Sequence, residues 1–393
     1  MTAPVLSRPA AKQPVSGGKA TTPAPAYKPF KNGVQSIDDE PYDTTVTLTA
    51  GTQVLNPQYQ VPSTAYLNEV EILAEGTSAG NSATVVFAAD SPFNCIQSLI
   101  FTDTGNNEII TAITGWDLAM INKFGGYKFN DDPRSGPVFT ATAGAGGTGG
   151  TFSFVVRVPI ELVPRDALGS LPNKSSSTPF KVKITINNLP AIYTTAPTVA
   201  PTLRIRMNPV SYWQPTAQDG SGNAVQPNPP GVSTTQYWNK TDYTVNAGSF
   251  TTQLDNSVGY PVRNLIFILR DSALSRAQGE TDWPDPCRLQ VQATLTSQKL
   301  KTIWRDEIAK DYGYNGAVGD TVGSKDNGVY VLPFCKDFGP KPGWENRRSY
   351  LRTTDGMRLQ LKGTIGGSGS HTLTVLTNYV GVAGGTTLAA LTT

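Results

Sequence analysis

Side chains able to do chemistry are few in this sequence and stand far apart. Among 393 residues there is one histidine, His371, and there are three cysteines, Cys95, Cys287 and Cys335. His371 follows a Gly/Ser run just ahead of the last apolar stretch, a place that reads as an exposed loop and not as the seat of a general base. A Ser-His-Asp device would also need a nucleophile turn, and no Gly-x-Ser-x-Gly occurs. Zinc sites need clustered Cys and His ligands. A disulfide framework needs an even and denser set of cysteines, so these three read as buried thiols of a reducing compartment.

The remaining motifs dissolve in the same way. Gly144-x-Gly146-x-x-Gly149 matches the dinucleotide fingerprint in letters, but that fingerprint requires a helix next, and Phe152-Ser153-Phe154-Val155-Val156 alternates like a strand. The acid pairs Asp131-Asp132 and Asp306-Glu307 are neighbours in sequence, which does not set two carboxylates across a cleft as glycoside hydrolysis needs. Asp306 also has Lys310 one helical turn away, an ordinary helix pair. The stretch from Asp103 to Glu108 has the acids of a calcium loop without EF-hand spacing and reads as a solvated turn. Tyr212-Trp213 and Tyr237-Trp238 suit either a sugar-binding platform or packing between domains. No catalytic residue, metal or cofactor is assigned, and a non-enzymatic protein is expected.

Elements that would carry these residues are strands. Gly 38 and Pro 30 are plentiful and charged residues are only 16 %, a composition of turns and extended chain with much covered surface. Lys181–Ile186, Leu203–Met207 and Met357–Leu361 alternate polar and apolar, which places one face on a core and one on water. The basic count of 32 against 30 acids gives a net charge of +2, short of the basic excess that phosphate recognition uses, so no specific nucleic-acid partner is expected. The apolar run Leu265–Leu269 is strand-sized, far below the roughly 18 residues that span a bilayer. The first residues lack the apolar middle region of a secretion signal, so a soluble chain made in a cytoplasm is expected.

Residues 1–40 form a separate arm. Arg8, Lys12, Lys19, Lys28 and Lys31 are its charges until Asp38-Asp39-Glu40, and Pro4, Pro9, Pro14, Pro23, Pro25 and Pro29 hold it extended. Residues 215–240, crowded with Pro and Gly, read as a linker between a first domain, 41–214, and a second, 241–393.

The two domains repeat one another. Trp116, Met120 and Phe124 stack on one helical face at i, i+4 and i+8, and Trp304, Ile308 and Tyr312 do the same, each 188 positions later. Gly125 and Gly313 keep that offset and are expected to be left-handed helix caps. Upstream lies a strand opening at Cys95 or Cys287; downstream come a strand ending in Pro159 or Pro333, then Lys181–Ile186 or Met357–Lys362, then Thr202-Leu203 or Thr372-Leu373. The offsets drift only as loop lengths do. Each copy is too long for a minimal immunoglobulin sandwich of about 100 residues and suits an eight-stranded jelly roll with one inserted helix. The expected fold is all-β: two consecutive eight-stranded jelly rolls with short helices in loops and an extended N-terminal arm.

Ile96–Asp103 followed by Asn106-Asn107-Glu108 and Thr114-Gly115-Trp116, together with Leu373–Tyr379 running into Gly384-Gly385-Thr386, resembles the double jelly-roll major capsid proteins of tailless icosahedral phages of the tectivirus type. The resemblance in plan spans nearly the whole chain; the arm departs, being Pro-rich and basic where the family's is helical and Gln-rich. What the resemblance implies is a homotrimer whose six barrels form a pseudo-hexagonal capsomer. Such capsomers would pack with penton and minor capsid proteins into a virion shell, synthesised in a host cytoplasm and laid over an internal lipid membrane. Arg8, Lys12, Lys19, Lys28 and Lys31 then either contact a neighbouring capsomer, touch anionic headgroups, or stay in water. The alternative function is a carbohydrate-binding β-sandwich spike or adhesin.

Overall fold

The computed structural model describes residues 27–37, 41–79, 84–128, 138–139, 149–231, 234–255, 259–313, 326–335 and 349–382. The first half holds β1 (Ser36–Ile37), β2 (Tyr42–Thr47), β3 (Gln53–Val54), β4 (Tyr59–Gln60), β5 (Tyr66–Thr77), β6 (Val86–Phe87), β7 (Ile96–Thr102) and β8 (Glu108–Ile113). It continues with helix α1 (Gly115–Phe124), β9 (Phe152–Pro159), β10 (Leu171–Pro172), β11 (Lys181–Ile186), helix α2 (Leu189–Ile192), β12 (Tyr193–Thr195) and β13 (Thr202–Tyr212). The second half holds β14 (Thr234–Leu254), β15 (Val262–Arg270), helix α3 (Arg276–Asp282), β16 (Cys287–Val291), β17 (Thr294–Lys299), helix α4 (Lys301–Tyr312), β18 (Val329–Pro333) and β19 (Leu359–Val382).

Strand pairing makes each half a jelly roll of two facing sheets. In the first, β2–β13–β5–β9 form one sheet, extended by β1 and β10, and β3/β4–β11–β7–β8 form the other. In the second, the amino-terminal part of β14 pairs with the carboxyl-terminal part of β19, then β15, then β18. The remaining part of β14 pairs with the start of β19, then β16, then β17. The two halves thus have one strand order, with α1 and α4 in the same connection, between the fifth and sixth strands. Every repeat element aligned in the sequence falls on a matching strand or helix.

Alternation explains the sheets locally. Leu203, Ile205 and Met207 of β13 are buried and Arg204 is exposed, as period two demands. β15 breaks that rule, with both faces buried from Val262 to Leu269. One face lies on the second barrel's core and the other is covered by the first barrel, which is why its sequence is an unbroken apolar run.

In the second barrel two strands bend and pass from sheet to sheet without stopping. The ladder of β14 with β19 slips between Asn246 and Gly248, opposite Ile365 and Ser370, and Gly248 at φ 102° and Gly367 at φ 69° absorb the bend. At Gly367 a Cβ would stand 2.6 Å from Asp282 Oδ2. The run before His371 is therefore not a loop. His371 lies inside β19, buried, and its Nε2 is 2.9 Å from Asp282 Oδ2. The expected exposed histidine is corrected, because glycines at a strand bend look like a loop in sequence. The helix ends differ too. Gly125 is right-handed at φ −78° and the next residue, Gly126, takes φ 87°, while Gly313 has φ 70° with an extended ψ of 150°.

The helix faces pack as their spacing predicts. Trp116, Met120 and Phe124 are buried, as are Trp304 and Ile308, with Tyr312 half-buried. Trp304 donates its indole N–H to Val331 O at 2.7 Å and meets Trp283 and Tyr330 edge to face, with ring centroids 5.8 and 5.2 Å away. Truncating either anchor empties a large buried volume. Trp304→Ala and Trp116→Ala are each expected to lower unfolding free energy by about 3–5 kcal/mol in denaturant titration.

Candidate functional site

Among the described residues none of the chemical candidates assembles into a reactive centre. Burial pushes the Cys287 thiol up to about 12 and the Cys95 thiol higher, so neither is a thiolate near neutrality. Asp103 Oδ1 accepts the backbone N–H groups of Gly105 and Asn107, both at 2.8 Å, and is spent on closing the turn between β7 and β8. Glu307 pairs with Lys299. Among the described residues no group of three His, Cys, Asp or Glu could hold a metal. Asp131, Asp132 and the glycines at 144 and 146 lie outside the described residues, and the strand expected after that motif is β9. A cavity of about 20 Å³ lined by Phe93, Asn122, Lys123 and Val155 has room for one water, not for a substrate.

The developed polar geometry lies where the barrels meet. Asp90 of the first barrel accepts from Arg276 Nε at 2.6 Å and from Arg270 Nη2 at 3.1 Å. Both guanidiniums sit over the Trp116 ring, 4.4 and 5.0 Å from its centroid. Burial raises the Asp90 carboxyl, yet the two arginines outweigh it and hold the group below its usual range. Lys123 of α1 pairs with Asp326, ahead of β18, with both side chains essentially out of water.

Asp117 closes a capping box with Thr114 at the start of α1 and also accepts Lys240 Nζ of β14 at 2.8 Å. Gln236 donates to Tyr127 Oη at 2.6 Å and to Ile160 O and Glu161 O at 3.3 and 3.2 Å, while Asn264 donates to Phe124 O at 2.9 Å. Trp238 stands opposite Ile110 in the one parallel pair linking β8 to β14. Of the aromatic pairs, Tyr212 and Trp238 are buried, Tyr237 is half-buried and Trp213 is exposed.

Sequence reasoning placed α1 and α4 as core helices but missed this joint. Asp90, Lys123, Lys240, Arg270, Arg276 and Asp326 are ordinary charges when read one by one. The one available signal was Arg263-Asn264, polar residues opening a strand that is otherwise apolar.

The root of the arm is docked on the first barrel. Phe30, in a 3-10 turn over Phe30–Gly33, is buried edge-on against Tyr66 and Tyr212 at 5.2 and 6.1 Å. Lys31 donates to Pro164 O, lies 3.3 Å from Glu161 Oε1 and stands over the Tyr212 ring. Lys28 is exposed and bridges to Val225 through its backbone. Arg8, Lys12 and Lys19 lie outside the described residues. Burial pushes the Glu161 carboxyl up to about 7, against the pull of Lys31 and of the Tyr212 hydroxyl.

Two antiparallel eight-stranded barrels of one strand order, joined face to face in one chain, define a double jelly roll. No protein-family model and no curated protein matches the sequence. Solved structures do match, and the fold is that of double jelly-roll major capsid proteins. The chain is similar to the major capsid protein P2 of bacteriophage PM2, with 13 % identity over 90 % of this chain and 100 % of that one and a TM-score of 0.52. It is similar to the STIV MCP, with 11 % identity over 88 % and 96 % and a TM-score of 0.56. It is similar also to the chain of the PBCV-1 virus capsid, with 12 % identity over 93 % and 100 % and a TM-score of 0.54.

Two outcomes test the joint and the docked root of the arm. Lys123→Met leaves the Asp326 carboxylate buried without its cation and is expected to cost about 3–5 kcal/mol, and adding Asp326→Leu should recover most of the loss in a double-mutant cycle. For Glu161 the folded state keeps its proton to higher pH than the unfolded chain does, whose carboxyl titrates near 4.5. Between those values folding takes up a proton, so stability falls as pH rises from about 5 to about 8. Glu161→Gln should flatten that part of the melting-temperature profile and raise it at the alkaline end.

Proposed function

We propose that the chain is a major capsid protein, a non-catalytic shell subunit that self-assembles as trimeric pseudo-hexagonal capsomers into an icosahedral virion over an internal membrane. The observation that carries this reading is the pair of like barrels locked at one fixed angle by a buried polar joint. A tile made of several copies needs that angle to be the same in every copy. The scarcity of assembled reactive groups among the described residues fits a protein whose work is burial at interfaces, which remove about 2,000–5,000 Å² when obligate. The second reading, glycan binding, requires an aromatic platform, and of the four aromatics considered for it only Trp213 stands free in solvent.

Within this reading, residues 41–214 and 241–393 serve as the two barrels with 215–240 between them, and the partners beyond itself are penton and minor capsid proteins. Arg8, Lys12, Lys19 and Lys28 of the arm supply contacts to a neighbouring capsomer or to anionic lipid. Lys31 anchors the arm to its own barrel. The purified protein is expected to be a trimer by light scattering at micromolar concentration and to form hexagonally tiled sheets or shells in electron micrographs when concentrated. A persistent monomer without ordered assemblies would overturn the proposal.

A further inference from the structure

The root of the arm is held to the first barrel by little. Of residues 27–34 only Phe30 is buried. Its slot is made by Tyr66, Tyr212 and Ala167, with Val34 and Ala65 packed beside them. Backbone bonds tie the segment to the chain that follows β13. Lys28 N donates to Ala224 O at 2.8 Å, Gln226 N to Lys28 O at 3.0 Å and Thr216 N to Gly33 O at 3.1 Å. A segment held by one apolar side chain and a few edge bonds opens more readily than the sheet beneath it.

What this segment helps to cover is a carboxyl group. The Glu161 side chain, just past β9, is 5 % exposed, and Lys31 Nζ stands 3.3 Å from its Oε1 while remaining partly in water. Tyr212, whose ring Phe30 meets edge-on, turns its hydroxyl to both carboxyl oxygens at 3.5 and 3.4 Å and accepts Asn68 Nδ2 at 3.3 Å. The other charge acting from the sheet is Glu69 of β5, which Arg157 of β9 meets at 3.3 Å. In the loop that follows, Arg165 is exposed and Asp166 Oδ1 accepts Leu168 N at 3.2 Å. Lys174 is bound across the slot to Tyr66 Oη at 3.1 Å. From β14 the neutral amide of Gln236 donates to Glu161 O at 3.2 Å. Among the described residues Lys31 is the cation paired with Glu161, and the arm delivers it.

We propose that residues 28–34 form a proton-controlled latch, docked in the aromatic slot while Glu161 is protonated and released from it when Glu161 ionises. The latch belongs to a single chain and does not rest on the assembly reading. While covered, the carboxyl keeps its proton up to about 7, because burial outweighs the pull of Lys31. Withdrawing Phe30 and Lys31 opens the Tyr212 side to water, and the hydrated carboxyl returns toward its ordinary 4.5. Docking therefore takes up a proton. The docked fraction is steady below about pH 5 and falls as pH climbs through about 7. An ionised Glu161 gains more from full hydration than from a lysine that is itself part-solvated. Release turns Phe30 and Lys31, an aromatic and basic hook, outward from the barrel.

Hydrogen exchange of the full chain, read by mass spectrometry at the amides of residues 28–34, Thr216 and Gln226, tests the latch. Comparison with Glu161→Gln at each pH cancels the intrinsic pH dependence of exchange. The two proteins are expected to exchange alike at about pH 5.5. At about pH 8.5 the unaltered chain is expected to exchange at least about tenfold faster, since one unit of pKa difference is a factor of ten. Phe30→Ala, which empties the slot, is expected to exchange fast at both values and sets the released level. Lys31→Met is expected to deepen release at the alkaline end and to leave the acid end unchanged, and it carries the test if Glu161→Gln melts early. Equal exchange of the unaltered chain and Glu161→Gln across the range overturns the latch. Release at the acid end, or a Phe30→Ala chain as protected as the unaltered one, overturns it as well.

Discussion

A buried charge must meet its partner, and in this protein that requirement fixes how the two barrels sit. Apolar contact alone would tolerate sliding, since it has no direction. Asp90 between Arg270 and Arg276, Lys123 against Asp326, and Asp117 against Lys240 tolerate little, because any rotation that parts a pair leaves ions stranded in a low-dielectric seam. The amides of Gln236 and Asn264 add direction by seeking backbone carbonyls across the seam. Such a seam adds little net stability compared with an apolar one. It selects one arrangement.

The seam also explains why the copies have diverged in sequence while keeping one topology. Equivalent helices face different neighbours. α1 lies between two barrels and is buried on every side, so its Asp117 and Lys123 have become interior ions. α4 lies on the rim, and its inner face alone keeps the aromatic anchors around Trp304. β15 is apolar on both faces for the same reason, whereas β5, its counterpart, alternates and turns Glu69, Glu71 and Glu75 outward.

Much of the fold was legible in sequence. Repetition was readable because large aromatic and aliphatic side chains at i, i+4 and i+8 survive changes in loop length, and the strands alternate wherever one face meets water. The joint was not legible, since pairing across it links positions as far apart as Lys123 and Asp326, and no local pattern marks a charge as buried. His371 was misjudged because the glycines that let β19 bend cannot be told from loop glycines without knowing that Asp282 fills the space beside them. The arm root was half legible: its proline spacing gave an extended chain, but not the aromatic slot that takes Phe30.

The unbroken strands of the second barrel have a consequence for how its two sheets are connected. β14 and β19 run antiparallel for about 65–80 Å of ribbon at the usual rise per residue. That ribbon folds over at Gly248 and Gly367, so covalent backbone passes from one sheet of the barrel to the other twice without leaving the ladder for a loop. In the first barrel the same path is interrupted by the turns between β2, β3 and β4 and by α2 between β11 and β13, so there it must cross loops. The two sheets of the second barrel are therefore tied to each other by continuous paired strands, where those of the first are tied by loops.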